Sequence, residues 1–151
     1  MSKLQEYIVE LESKKDFVAH VSLKTPLLSN LNIVENIALI QEVHLRVPRI
    51  ESHRRVLELL NVVNLQKIAQ YRTSQCSDYE KFAARLIRAS MMQYATIIII
   101  SPLQQFFSKE PIDVLVKLIL DLKLEKRVEI LDLTLYENDY TDRGLLCHIV
   151  K

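Results

Sequence analysis

The sequence predicts a single α/β domain that is rich in helix. Strand-like segments alternate with longer helical segments, and this order is typical of a sheet flanked by helices. Four consecutive isoleucines, Ile97 to Ile100, indicate a strand that is buried between helices, as in a parallel sheet. The chain has 151 residues, of which 49% are hydrophobic and 26% are charged, so it can bury a core of ordinary size.

Apolar periodicity and turn residues predict the elements one by one. In chain order they are a helix over 2–15, a strand over 17–23, a helix ending near 45, a helix from about 49 to 63, a short helix over 65–71, a helix over 79–93, the isoleucine strand, a helix from 111 to about 122, a strand over 127–135, a turn or short helix over 138–143 and a strand over 145–150.

Capping and helix-breaking residues set several of these bounds. Ser2 can cap the first helix, and either Asn30 or Asn32 can cap the second, which Pro48 ends. Pro111 suits the first turn of the helix after the isoleucine strand. The helix after Pro48 is expected to bury five apolar residues: Ile50, Val56, Leu57, Leu60 and Val63. The helix at Pro111 is expected to bury another five: Val114, Leu115, Leu118, Ile119 and Leu122.

Composition argues against several classes of function. The formal net charge is +1, so no excess of positive charge favours a nucleic acid as partner. The isoleucine run is too short to cross a bilayer, and the N-terminus lacks the apolar core of a signal peptide, so no direct membrane insertion is predicted and the expected location is the cytoplasm. Cys76 and Cys147 have neither disulfide nor metal spacing, and no metal site is predicted.

The glycine content argues against a nucleotide cofactor. A loop that cradles phosphate needs several glycines so that backbone N–H groups can approach the anion, and this sequence has one, Gly144. The residues after the isoleucine strand are Ser-Pro-Leu-Gln-Gln, although strand ends of α/β proteins commonly carry the chemistry. None of these side chains binds metal strongly or is a good general base. We therefore predict no catalytic, cofactor-binding or metal-binding residue, and no enzyme.

Five segments resemble the ATP-binding subunits of ABC transporters, in the order that this family has them. TPLLSNLNIVENIAL and HLRVPRIESHRRVLELLNVVNL are similar to the family's helical subdomain. QYRTSQCSDYEKFAARLIRAS, ATIIIISPLQQF and YTDRGLLCHIV resemble its signature region, its Walker B strand and its last strand. The resemblance covers residues 17–150 and implies a partial P-loop NTPase (ABC ATPase-like) fold with a helical subdomain and a reduced, mostly parallel sheet.

Within this single domain, the resemblance implies an N-terminal helix and strand over 1–23, the helical subdomain over 24–93 and a remnant of the ATPase core over 94–151. The chain departs from the family at the positions that handle nucleotide. Leu23 stands at the Q-loop glutamine, Ile100 at the Walker B aspartate and Ser101 at the catalytic glutamate. Phe107 stands at the D-loop aspartate and Asp132 at the switch histidine.

The family's signature motif and Walker A loop are altered as well. Cys76, Ser77, Asp78, Tyr79 and Glu80 stand where the family has LSGGQ; only the serine is retained, and both glycines are replaced. A carboxylate at Asp78 would repel a γ-phosphate. About twenty residues precede the Q-loop strand, where the family has about eighty that include Walker A. The isoleucine strand is therefore interpreted as a Walker B strand that is retained for packing.

The resemblance also implies a partner. In the family, a groove between the Q-loop region and the helical subdomain receives a helix of the membrane permease. We therefore expect a non-catalytic protein that contacts a transporter permease or an ABC ATPase subunit, peripheral to the inner face of the membrane. The expected contact residues are Lys24, Thr25, Leu27, Leu28, Asn30 and Leu31, with Arg46 and Arg49 at the rim. A homodimer through a sheet edge is a further expectation, because strands without neighbours pair readily.

Two alternatives stay open. The chain is alternatively half of a split ATPase that receives its P-loop from another polypeptide, although Leu23, Ile100 and Ser101 would still leave metal and water without ligands. A remnant with a new enzymatic role is the other alternative, for which the sequence shows no constellation of residues. The arginines at the expected rim also fit a solvated helix face, since Glu51 and Glu58 partly neutralise them.

Overall fold

The computed structural model describes residues 5, 6, 9, 17–133 and 136–150. The helix predicted over 2–15 lies almost entirely outside these residues, although residues 5, 6 and 9 are helical. Residues 134 and 135, at the end of a predicted strand, lie outside them as well. None of the helices in the described ranges is long and apolar enough to cross a membrane.

Four parallel strands form the described sheet, in the order in which they occur along the chain. The strands are β1 (Val18–Val21), β2 (Thr96–Ile100), β3 (Val128–Leu133) and β4 (Leu146–Val150). Ile98 of β2 pairs with His20 of β1 and with Glu129 of β3. The sequence predicted a mostly parallel sheet, and every strand pair described is parallel, so this prediction is confirmed.

Six α-helices and two short 3-10 turns connect the described strands. The helices are α1 (Ile33–His44), α2 (Arg49–Val62), α3 (Asp78–Ser90), α4 (Pro102–Gln105), α5 (Pro111–Asp121) and α6 (Glu137–Thr141), and the 3-10 turns are Gln66–Ile68 and Thr73–Gln75. Helices α1 to α3 all lie between β1 and β2, so this crossover carries most of the helical content. The longer helix predicted over 65–71 is replaced by the 3-10 turn Gln66–Ile68.

Local sequence explains where these helices begin. Asn32 caps α1: its side chain accepts from the Glu35 amide at 2.8 Å, and the Glu35 carboxylate accepts from the Asn32 amide at 3.0 Å. Of the two caps that the sequence allowed, Asn32 is therefore the one used. Pro48 directly precedes α2 and Pro111 is the first residue of α5, where a missing N–H costs no helical hydrogen bond.

The main core lies between one face of the sheet and the helices. Ile97 and Ile99 of β2 point into it, together with Ile130 of β3, and all three are fully buried. Ile98 and Ile100 point to the opposite face and are buried there. The isoleucine strand is thus covered on both faces, which is why its sequence shows no alternation of polar and apolar residues. The face predicted for α5 is confirmed for Leu115, Leu118, Ile119 and Leu122, which are buried.

The predicted burial of α2 is wrong at two positions. Ile50 is 87% exposed and Leu57 is exposed as well, whereas Val56 and Leu60 are fully buried. Helix α2 packs mainly against α1, so only a narrow stripe at four-residue spacing is covered, with Ser52 continuing it by one turn. The apolar periodicity of α2 therefore overstates its buried face.

Candidate functional site

A cavity of about 190 Å³ lies where β1 and β2 end. Because both strands are parallel, their C-terminal ends meet at this edge of the sheet, which is the usual position of ligand sites in α/β folds. The lining residues come from the exits of the two strands and from α4: Ser22, Leu23, Lys24, Ile100, Ser101, Gln104 and Gln105. Among these described residues none carries a carboxylate or an imidazole, the groups that hold a metal or act as a general base.

Gln105 fixes the floor of this cavity. Its Nε2 donates to the carbonyl oxygens of Val21 at 3.0 Å and Ile100 at 2.8 Å, so one side chain joins the ends of both strands. Its Oε1 accepts a hydrogen bond from Nη2 of Arg85 at 3.1 Å. Both side chains are buried, and within the described part of the chain Nε of Arg85 has no hydrogen-bond partner. Burial, and secondarily the charge of Arg88, lowers the pKa of Arg85.

The tip of the isoleucine strand is closed by backbone geometry. Ile100, which the sequence resemblance puts at the Walker B aspartate position, is 9% exposed. Ser101, which it puts at the catalytic glutamate position, has a φ of 47° and donates its N–H to the carbonyl of Leu131 at 2.8 Å. A non-glycine residue in the left-handed region is uncommon, and here it turns the chain sharply into α4. This four-residue helix was absent from the sequence prediction.

The loop after β1 is tied to the domain by hydrogen bonds from α3 and from α1. Arg88 of α3 donates to the carbonyls of Thr25 and Pro26, the latter at 2.8 Å. Asn36 of α1 is buried, accepts from the Leu28 amide at 2.6 Å and donates to the Leu28 carbonyl at 3.0 Å. Burial lowers the pKa of Arg88. The backbone of the loop is therefore held in one arrangement by two polar side chains, the half-buried Arg88 and the buried Asn36.

The structure brings together part of the predicted contact surface. Lys24, Leu28 and Asn30 are exposed on the loop, whereas Thr25 and Leu31 are half-buried and Leu27 is buried in the core. Nη2 of Arg49 lies 3.7 Å from Oε2 of Glu35. The other carboxylate oxygen of Glu35 accepts a hydrogen bond from the amide of Asn32, the N-cap of α1. Arg49 is thus adjacent to the end of the loop. Arg46 is exposed in the turn between α1 and α2, with no ion pair among the described residues.

Residues 76–80, which the sequence resemblance puts at the signature position, lie at the start of α3. The Ser77 hydroxyl accepts from the Glu80 amide at 3.1 Å, and the Glu80 carboxylate accepts from the Ser77 amide at 2.8 Å. Asp78 is exposed in the first turn, Cys76 is half-buried, and Tyr79 packs edge-on against Phe106 with ring centroids 5.6 Å apart. Ser77 therefore acts as a helix cap.

Asp132 and Phe107, which the sequence resemblance puts at the switch histidine and the D-loop aspartate, have different surroundings. Asp132 is 4% exposed, and its Oδ2 accepts a hydrogen bond from the Tyr140 hydroxyl at 2.6 Å. Burial and this carboxylate raise the pKa of Tyr140 far above its usual range. Phe107 is instead 91% exposed. The first position is thus part of the packing between β3 and α6, and the second lies at the surface.

Sequence reasoning missed the polar residues that build this edge: Asn36, Arg85, Arg88 and Gln105. Each lies in a helix among apolar neighbours, and that is the signal that was available, because a polar residue on an apolar helix face needs a hydrogen-bond partner. Within the described ranges, no group of three or more His, Cys, Asp or Glu side chains is placed to hold a metal ion.

No protein-family model matches the sequence, and none of the curated proteins matches it significantly. Among solved structures, the fold is similar to the dimeric post-hydrolysis structure of the ATP-binding cassette MJ0796 bound to ADP and Pi, with a TM-score of 0.58 and 19% sequence identity. The similarity covers 83% of this chain and 54% of that chain, so this chain spans about half the length of the ATPase that it matches. The chain therefore has a helix-rich α/β fold that matches part of the P-loop NTPase fold of an ABC ATPase.

Proposed function

We propose that this chain is a non-catalytic, ABC-ATPase-like protein that acts by binding another protein, a transporter permease or an ABC ATPase subunit. The observation that carries the proposal is the composition of the cavity at the strand ends. Leu23, Ile100 and Ser101 stand where the family that the sequence resembles has the ligands of magnesium and of the attacking water. No described residue that lines the cavity supplies a carboxylate instead. An ATPase site needs such oxygen ligands to hold magnesium and to position the attacking water.

The loop over residues 24–31 supports contact with a partner as the remaining role. Its backbone is tied by Arg88 and Asn36, so the exposed side chains of Lys24, Leu28 and Asn30 are presented without a large loss of loop entropy on binding. Leu28 is a large apolar side chain that is 46% exposed at the centre of this loop. An ordered loop that presents an apolar side chain is a good protein-binding element. Such binding would place the protein in the cytoplasm, peripheral to the inner face of the membrane.

Affinity capture from native membranes in mild detergent tests this proposal. Leu28→Asp is expected to abolish recovery of transporter subunits, because a charge would have to enter an apolar contact. Leu57→Asp is the matched control: Leu57 is 44% exposed, but it lies on the outer face of α2. Equal recovery by Leu28→Asp and wild type, or the absence of any transporter subunit from the wild-type capture, contradicts the proposal.

The likeness to a cassette that holds ADP and Pi favours the split ATPase as the second candidate, in which another polypeptide supplies the P-loop. The two candidates differ in what the captured partner does. If the captured complex hydrolyses ATP, the partner alone should do so at the same rate under the binding proposal. Under the split-ATPase candidate, the partner alone should be inactive and addition of this chain should restore hydrolysis.

A further inference from the structure

The cavity at the ends of β1 and β2 combines apolar walls with polar groups that are not in use. Leu23 and Ile100 supply apolar surface, and Lys24, Ser101 and Gln104 also line the cavity. Within the described ranges, the Lys24 ammonium forms no ion pair, and neither the Ser101 hydroxyl nor the Gln104 amide makes a hydrogen bond through its side chain. These three polar groups are therefore available to a ligand.

Positive charge next to the cavity floor lacks a carboxylate to balance it. Arg85 is 6% exposed and donates to Gln105, the floor residue, at 3.1 Å. Burial and the charge of Arg88 lower the pKa of Arg85, and only the Asp78 carboxylate, which forms no ion pair with it among the described residues, acts in the opposite direction. Charges act strongly where water is excluded, so a cavity next to this buried guanidinium group favours an anionic ligand.

The size and the walls of the cavity fit a ligand with an apolar body. Its volume is about 190 Å³. In another protein an apolar cavity of roughly 150 Å³ holds benzene, so there is room here for a chain or ring of about six carbons. A phosphate group binds where several N–H donors converge, but Gln105 already uses both of its N–H groups on the carbonyls of Val21 and Ile100. The lining therefore suits one weakly charged anionic head on an apolar chain.

We propose that this cavity binds a small carboxylate with an apolar chain, for which hexanoate is the probe. The chain lies against Leu23 and Ile100, and the carboxylate pairs with Lys24 and accepts hydrogen bonds from Ser101 and Gln104. Such a ligand has neither a phosphate nor a metal ion, so the site differs in chemistry from a nucleotide site. This ligand goes beyond the proposed function, which rests on the exposed side chains of the loop over 24–31.

Amide chemical shifts measured by NMR during titration of the full chain test the proposal. Hexanoate should cause saturable shifts at amides of residues 22–24 and 100–105, with a Kd of roughly 0.1–1 mM. Hexanol has the same chain without the charge, and it should bind at the same amides at least about 5-fold more weakly. Acetate lacks the chain and inorganic phosphate lacks an apolar part, so neither should saturate in the same concentration range.

Two variants separate the charge from the cavity. Lys24→Gln should weaken hexanoate binding about 5-fold and leave hexanol binding unchanged, because only the carboxylate pairs with the ammonium. Lys67→Gln is the matched control: this lysine side chain is 68% exposed and does not line the cavity, so hexanoate should bind as it does to wild type. Gln104 is exposed and lines the cavity, so Gln104→Trp should preserve the fold and weaken both ligands at least about 10-fold.

Several results would overturn the proposal. Hexanoate that causes no saturable shift, or shifts that map to other parts of the chain, would remove the site. Hexanol or phosphate that binds as tightly as hexanoate would remove the ligand class, and equal hexanoate binding by Lys24→Gln and wild type would remove the ion pair. The spread of amide shifts shows that each variant is folded. Leu28, which the capture experiment tests, does not line the cavity, so failure of the ligand site and failure of the proposed function are distinguishable.

Discussion

Gln105→Leu should destabilise the protein strongly, because this side chain joins three polar groups in a buried place. The substitution removes the donor to the Val21 and Ile100 carbonyls and the acceptor for Arg85. Each buried polar group left without a partner costs about 1–3 kcal/mol. Burial of the leucine side chain offsets part of this loss, by roughly 2 kcal/mol. Because three groups lose their partner, the expected net loss in the free energy of unfolding is about 1–7 kcal/mol.

Urea unfolding followed by circular dichroism measures this loss. For a chain of this size the slope is roughly 2 kcal/mol/M, so the midpoint should fall by about 0.5–3.5 M with the slope unchanged. Gln104→Leu is the matched control, since Gln104 is the exposed neighbour on the same short helix and makes no side-chain hydrogen bond recorded among the described residues. Its midpoint should stay close to that of wild type. A midpoint for Gln105→Leu that matches the control would refute the role given to Gln105.

Three further predictions follow from the same geometry. The double variant Ile100→Asp, Ser101→Glu should show no ATPase activity, and activity in a phosphate-release assay would contradict this. Its free energy of unfolding should fall by roughly several kcal/mol, because a buried strand end would hold an unpaired charge. Arg88→Ala should speed hydrogen exchange of amides in the loop over 24–28, and unchanged protection there would show that its two carbonyl contacts do not hold the loop. Burial raises the pKa of Cys147 to about 11, so between about pH 9 and 11 the folded protein keeps a proton that the unfolded chain loses, and the free energy of unfolding should fall over this range. In Cys147→Ser the urea midpoint should decline less steeply over the same range. An equally steep decline in the variant would contradict this prediction.

The sequence was sufficient for elements whose signals are local. The isoleucine run, the cap at Asn32 and the proline at position 111 each acted within one turn or strand, and the structure has them as expected. Ile50 and Leu57 were misjudged because their exposure depends on α2 packing mainly against α1, a tertiary fact that helical periodicity does not contain.

The candidate site was predicted only in its position. The sequence alone indicated a strand end without catalytic side chains. The cavity beside it depends on the pairing of β1 with β2, which are separated by about 75 residues along the chain. Gln105 was missed because its partners, Val21 and Arg85, are distant along the chain. The helix α4 was not predicted from the sequence, because it is only four residues long and begins after a left-handed residue, Ser101.

Calorimetric titration of the purified chain with ATP and magnesium tests the central claim most directly. The claim is that the cavity at the ends of β1 and β2 no longer holds a metal–nucleotide complex, because Leu23, Ile100 and Ser101 provide no carboxylate ligand. We predict no saturable heat at millimolar nucleotide, with or without magnesium. Micromolar binding that depends on magnesium would contradict the account.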